Sequence, residues 1–314
     1  MIKLAVVSPC FNEEEVLDIS IKKLTLLFDE LIEKKRISPD SFVLFVNDGS
    51  KDNTWEIIKK HHQKNPFVCG LCLAGNVGHQ YAIMAGMLKV RNKCDAAITI
   101  DADLQDDISV IPEMIDKFEK GSDVVYGVKI SRISDPFFKR VSAQCFYKLQ
   151  NLMGVKTIYN HADYRLMSNK ALNYLALYPE RNLYLRGMIP LMGLRSSTVD
   201  DVISPRVAGS SKYTLSKMLR LALDGITSFS TKPILWIVGF GFISFLITLI
   251  MVAHVIYAWM KGNVVPGWTE MMISLWFFGS AILLSVGIIG QYIGKIYAES
   301  KHRPLYLEDD YLGK

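Results

Sequence analysis

Two long stretches without a charge constrain this chain most. From Pro233 to Met260 there are 28 residues, and from Met271 to Gly294 another 24, with no Asp, Glu, Lys or Arg. A bilayer core roughly 30 Å thick is crossed by about 20 apolar residues of helix. Both runs are long enough, so two transmembrane helices are expected within residues 233–297. Core helices of a soluble protein would have to be very long and apolar on every side, which is the weaker reading. Lys212, Lys217, Arg220 and Lys232 precede the first run, Lys295, Lys301 and Arg303 follow the second, and the connecting loop Lys261–Glu270 carries a single Lys. By the positive-inside rule both flanks face the cytoplasm and the loop lies outside. The apolar run in MIKLAVVS is too short for a signal peptide. The N-terminal part is therefore expected in the cytoplasm, with residues 298–314 as a cytoplasmic tail and residues 207–232 as a juxtamembrane stretch.

Residues 1–206 read differently. Apolar runs at Ile2–Ser8, Ser41–Val46, Phe67–Leu73, Ala96–Ile100 and Asp123–Val128 alternate with amphipathic stretches that end near Lys35, Gln63 and Val90. Strands alternating with helices predict an α/β domain with a mostly parallel sheet. In such sheets ligands gather beyond the carboxyl ends of the strands. The first four runs all end in polar, turn-forming residues: Pro9–Glu14, Asn47–Asp52, Gly75–His79 and Asp101–Asp107. No G-x-G-x-x-G follows the first strand, which disfavours a dinucleotide-binding oxidoreductase.

The fourth of these ends carries the strongest chemistry. In AAITIDADLQDD the apolar run stops at Asp101 and Asp103, with Gln105 close behind. Two carboxylates two residues apart at a strand end suit a hard divalent cation, which prefers oxygen ligands. A solvated acidic loop is the alternative. Asp48 is placed to accept from a nucleobase N–H, or only to stabilise its own turn. Glu13 is placed for a ribose hydroxyl, or only for a helix start. Asn76 and Gly78 make a tight turn on either reading.

Charge and cysteine narrow the field further. A net charge of +5 is modest, and Pro205–Lys232 holds five basic residues against Asp224 alone. That pattern favours anionic lipid headgroups over nucleic acid. The five cysteines are an odd set, and Cys69 and Cys72 fall on one strand, three apart and so on opposite faces. No structural disulfide or metal use is expected of them. Phe137–Met153 has one apolar face with Lys139, Arg140 and Lys148 on its other sides, the composition of a helix lying in a membrane interface or covering the sheet. Tyr213–Phe229 is a second such candidate.

PCFNEEE, VNDGSKDNT, GNVGHQ, DADLQDD, ADYRLM and RVAGSSKY, in this order and followed by two apolar runs, resemble the family-2 glycosyltransferases that load a sugar onto a polyisoprenyl phosphate. The resemblance covers essentially the whole chain and is nearest to the bacterial bactoprenol glucosyltransferases, with dolichol-phosphate mannose synthases further off. It implies a GT-A fold, a nucleotide-sugar donor (UDP before GDP), Mg²⁺ or Mn²⁺, inversion at the anomeric carbon, a bacterial inner membrane and a homo-oligomer, a tetramer by that likeness. Carried over residue by residue, Pro9, Phe11, Asn12, Glu13, Asp48 and Asn76 would hold the donor. Asp101, Asp103 and Gln105 would hold or orient the metal. Asp163 would face the sugar or the acceptor, unless it only anchors Arg165 by an ion pair. Arg206 and Lys212, beside Gly209, Ser210 and Ser211, would close over the phosphates. By their charge, and not by the resemblance, Lys139 and Arg140 on the Phe137–Met153 stretch, with Lys129 and Arg165, are the candidates to receive the acceptor phosphate. Gly75 and Lys129 stand where that family often has Arg, and His161–Ala162 where Gly is common, which bears on the donor sugar. Two other readings compete. A processive polysaccharide synthase would show Gln-x-x-Arg-Trp, and no Arg-Trp occurs here. A non-enzymatic scaffold or lipid-translocation subunit would have no reason to keep both acids of the DAD triplet.

Overall fold

The computed structural model describes residues 1–129, 161–202, 230–261 and 267–313 of the 314. These form two compact units, one of residues 1–129, 161–202 and 303–313 and one of residues 230–261 and 267–302. The expected interfacial helices at Phe137–Met153 and Tyr213–Phe229 lie outside the described residues, as do Lys139, Arg140, Arg206 and Lys212.

In the first unit, strand β1 (Leu4–Cys10), helix α1 (Leu17–Glu33), β2 (Phe42–Asn47), α2 (Thr54–His62), β3 (Val68–Leu73), α3 (His79–Val90) and β4 (Ala96–Thr99) follow the expected alternation. Next come α4 (Ile111–Glu119), β5 (Val124–Lys129), β6 (His161–Ser168), α5 (Asn169–Leu175), α6 (Leu185–Leu191) and β7 (Ser196–Asp201), and after the second unit β8 (Glu308–Leu312). The described strands make one sheet in the order β7-β5-β6-β4-β1-β2-β3-β8. Strands β1 to β4 are mutually parallel, as their apolar runs lead one to expect, since strands buried on both faces read as continuous hydrophobic sequence. The sheet as a whole is mixed: β6 runs antiparallel to both β4 and β5, and β8 antiparallel to β3.

That mixture positions the site. Parallel β1 to β4 deliver their carboxyl ends to one rim. Because β6 runs the other way, its first residues, His161 to Asp163, arrive at the same rim. The core beneath is built from every third or fourth residue of α1 (Leu17, Ile21, Leu24, Phe28, Leu31) packed on Leu4, Val6, Val43 and Phe45. Each large apolar side chain buried this way contributes roughly 1.5–3 kcal/mol. On the other side α3 comes unusually close to the sheet. A Cβ on Gly86 would stand 2.3 Å from Val7 Cγ1 and 2.8 Å from Val46 Cγ2, so only glycine permits this approach.

The residues expected as a tail include an edge strand. Ala74 N–H donates to Leu307 O at 2.9 Å, Lys89 pairs with Glu308, and Lys89 and Lys93 lie 4.2 and 4.8 Å from the Tyr311 ring centre. The open edge of β3 is thereby covered.

The second unit is a pair of helices, α7 (Lys232–Met260) and α8 (Trp268–Ser300). Within them Lys232–Met251 and Ser274–Ser300 have mean hydropathy 2.5 and 1.6, and neither window is buried by protein. Both are long and apolar enough to cross a membrane. Phe240 and Phe277 meet at 6.3 Å between ring centres, and Tyr292 donates to Ser230 O at 2.5 Å.

Candidate active site

A cleft of about 910 Å³ opens at the rim where β1 to β4 end. Of the residues singled out from sequence, it is lined by Pro9, Phe11, Asn12, Glu13, Asp48, Asn76, Asp101, Asp103, Lys129 and Asp163. It also takes in His79, Asp106 and Arg186, which sequence reasoning did not single out. Gln105 and Arg165 are not among the lining residues.

The first two strand ends are stitched together by their own polar groups. Asn12, at φ 54°, accepts from Lys51 N–H at 2.9 Å while its own N–H donates to Ser50 Oγ at 3.0 Å. Asparagine tolerates this left-handed backbone better than most residues. Glu13 N–H donates to Thr54 Oγ1 at 3.0 Å. Asp48, buried, accepts from Val77 N–H at 2.7 Å and Gly78 N–H at 2.9 Å, one on each carboxylate oxygen. The loop before α3 is therefore held to the end of β2. The two turns touch: a Cβ on Gly49, at φ +62°, would lie 2.5 Å from Asn76 N. Phe11, 38% exposed, presents its ring at the rim.

The DAD loop is fixed from below. Ser20 of α1, buried, donates to Ala102 O at 2.5 Å, and Leu104, also buried, takes a positive φ of 45°. Gln105 N–H donates to Asp103 Oδ1 at 3.3 Å. The Asp101 carboxyl titrates above its ordinary range, because the cleft wall strips its hydration and Asp163 and Asp103 repel its charge, His79 offsetting part. No cluster of three His, Cys, Asp or Glu side chains is drawn together as a ready-made metal cage among the described residues. Two carboxylates suffice for a magnesium-type ion that takes its other oxygens from phosphate and water. The repulsion at Asp101 is the kind a bound cation relieves.

Asp163 is the hub of the far wall. It and Arg165 are two apart on β6 and so share one face. Arg165, 1% exposed, donates to Asp163 Oδ1, and Arg186 grips the same carboxylate with Nε on Oδ1 at 3.2 Å and a terminal nitrogen on Oδ2 at 2.9 Å. His79 Nε2 stands 3.7 Å from Asp163 Oδ2 and 3.6 Å from Asp101 Oδ1. Burial alone would raise the Asp163 carboxyl, but Arg186, His79 and Arg165 hold it well below the usual carboxylate range. For His79, desolvation opposes the charge and the two carboxylates outweigh it, lifting the imidazole to about 9. Lys129 Nζ lies 3.2 Å from Asp106 Oδ1. Burial pushes the Asp106 carboxyl up to about 7 against the pull of that lysine. Cys69 and Cys72 are both buried free thiols on β3.

By fold this is an α/β domain whose cleft, at the ends of parallel strands, brings paired carboxylates and fixed cations together, the place where such sheets take their ligands. The sequence model described as Glycosyl transferase family 2 matches residues 5–175, and the chain belongs to that family. The uncharacterized glycosyltransferase YkoT of Bacillus subtilis is 48% identical over 306 residues, 98% of this chain and 91% of that one. The bactoprenol glucosyl transferase of Shigella phage SfV is 39% identical over 307 residues, 97% of each chain. Among solved structures, mannosyltransferase PcManGT from Pyrobaculum calidifontis, in complex with GDP-Man and Mn²⁺, covers 94% of this chain and 84% of that one, at TM-score 0.46 and 14% identity.

Proposed function

We propose that this glycosyltransferase moves a sugar, glucose by analogy with its named relatives, from a UDP-sugar to undecaprenyl or a related polyprenyl phosphate, with inversion at the anomeric carbon. The observation that carries this reading is the 97% coverage of both chains in the match to a bactoprenol glucosyl transferase, which runs through the cleft domain and both apolar helices. In this reading Pro9, Phe11, Asn12, Glu13, Asp48 and Asn76 form the donor end of the cleft. Asp101 and Asp103, oriented with Gln105, would hold Mg²⁺ or Mn²⁺. When bound, the ion neutralises charge on the leaving diphosphate. Arg206 and Lys212 would add cationic charge there.

The acceptor, a phosphate monoester, has a second pKa near 6 and is mostly a dianion at ~pH 7, so it needs no general base. That agrees with Asp163, whose carboxyl is held ionised by its cations and is a poor proton acceptor. Its part is to hold Arg186 and His79 against the cleft. Lys129, Lys139 and Arg140 would receive the lipid phosphate. Arg165, buried behind Asp163, would act through it rather than touch the acceptor.

Strand β8 supports the membrane topology of this reading. Glu308–Leu312 pairs with β3 of the same unit, which supports a chain that crosses a membrane an even number of times between them. Two spans satisfy this, and the basic flanks put the cleft and both ends in the bacterial cytoplasm. The test is to offer the purified protein, with Mn²⁺ and undecaprenyl phosphate, a panel of radiolabelled nucleotide sugars. Label should enter the lipid extract with UDP-glucose foremost; no label with any donor would overturn the reading.

A further inference from the structure

We infer that Gln80 is a positioning residue for transfer, acting through the backbone of Leu185 on Arg186. This rests on the functional reading above and deepens it. The first N–H groups of any helix have no partner within it and must find one elsewhere. Tyr184 stands at the cap position of α6 and makes no side-chain cap bond. Leu185, the first residue of α6, is 1% exposed, so water does not reach it readily either. The acceptor comes from another helix: Gln80 Oε1 takes the Leu185 N–H at 2.9 Å. The next residue is Arg186, whose guanidinium grips Asp163 at the cleft.

Gln80 does not act alone. Successive residues on a helix diverge by about 100°, and the first three side chains of α3 use that fan. His79 reaches Asp101 and Asp163, Gln80 reaches Leu185, and Tyr81 donates to Arg181 O at 2.6 Å. The start of α3 is itself fixed, by Asp48 on the N–H groups of Val77 and Gly78 and by the close seating of Gly86 on the sheet. A short chain of contacts thus runs from the donor end of the cleft, through α3, to the arginine at its far wall. The GNVGHQ turn sets where Arg186 stands.

The experiment compares Gln80→Leu, which removes the acceptor, with Gln80→Glu, which keeps an oxygen there, and crosses Gln80→Leu with Arg186→Ala. Transfer to lipid and hydrolysis of the donor are both measured, with nucleotide binding by calorimetry and folding by thermal melting. Misplacing a group by about 1 Å can cost a hundredfold in rate, so Gln80→Leu should lower kcat on the order of 10- to 100-fold while nucleotide Kd stays within about twofold. Gln80→Glu should recover most of that loss, and Gln80→Leu should add little in the Arg186→Ala background. If Gln80→Leu does not fold, Gln80→Lys, which also lacks an acceptor, takes its place. Normal kcat in the acceptor-free variant, multiplicative losses in the double variant, or a Gln80→Glu as poor as Gln80→Leu would each overturn the inference. A wild-type protein that binds nucleotide yet neither transfers nor hydrolyses would instead overturn the functional reading, and the inference with it.

Discussion

Replacing Asp163 by Asn separates the two jobs this carboxylate holds. Its side chain is 11% exposed and faces Arg165, 1% exposed, together with Arg186 and His79. Removing one member of a buried ion pair costs about 3–5 kcal/mol, because the other charge is left uncompensated. Asn keeps one acceptor oxygen, so the lower end applies, about 3 kcal/mol. At roughly 2–4 °C per kcal/mol for a domain of this size, the melting temperature of the full chain in detergent should fall by about 6–12 °C. Adding Arg165→Met removes the stranded cation, and an apolar replacement of a buried pair is often neutral. The double variant Asp163→Asn/Arg165→Met should therefore regain most of the melting temperature. Sugar transfer should stay low, because Arg186 has lost its two-pronged partner. The pH dependence has a definite sign. A carboxyl depressed on folding contributes its full stability above about pH 4, its unfolded value, and loses it as pH falls toward the folded one. The difference between wild type and Asp163→Asn should shrink in that acid window. Regained transfer in the double variant would show that Asp163 merely anchors Arg165. An unchanged melting temperature in the single variant would refute the electrostatic argument itself.

Asp103→Asn should cut transfer by orders of magnitude and weaken Mn²⁺-dependent binding of the nucleotide sugar; full activity in excess EDTA would contradict the metal assignment. Deleting residues 303–314 should lower the melting temperature by exposing the β3 edge and should favour aggregation, whereas an unchanged melt and a monodisperse sample would show the strand is dispensable. A cysteine at Asn263 should react with an impermeant reagent added to intact cells and one at Ser50 should not; the reverse labelling would invert the topology.

The half of the site on β1 to β4 was legible because apolar runs there stop abruptly at polar residues, and parallel strands must bring those ends to one rim. Strand β6 was not. It carries Asp163 and Arg165 in its interior, and two charges in eight residues erase the apolar signal that marks a buried strand. They are tolerated because they pair with each other. Strand β8, EDDYL, has no apolar run at all, and owes its conformation to the β3 edge and to Lys89 and Lys93. The sequence reads Asp48 either as a nucleobase partner or as a turn-stabilising side chain, and both its oxygens hold backbone N–H groups of the next loop. A lone sequence does not tell a ligand-facing carboxylate from a loop-pinning one. His79, Gln80 and Arg186 escaped for a related reason: a polar residue after glycine at a helix start looks like an ordinary turn, and LYLRGM shows no pattern. What joins them is a set of contacts between α3, α6 and β6 that are distant in sequence.

The most direct measurement is of label passed from UDP-[¹⁴C]glucose to undecaprenyl phosphate, extracted into organic solvent, by wild type beside Asp101→Asn and Asp103→Asn. Wild type should yield a labelled lipid that mild acid cleaves to free glucose, and both variants should fall to background. Wild-type label no higher than that of the two variants, in protein that still binds the nucleotide, would contradict the account and leave a membrane-bound nucleotide-binding scaffold in its place.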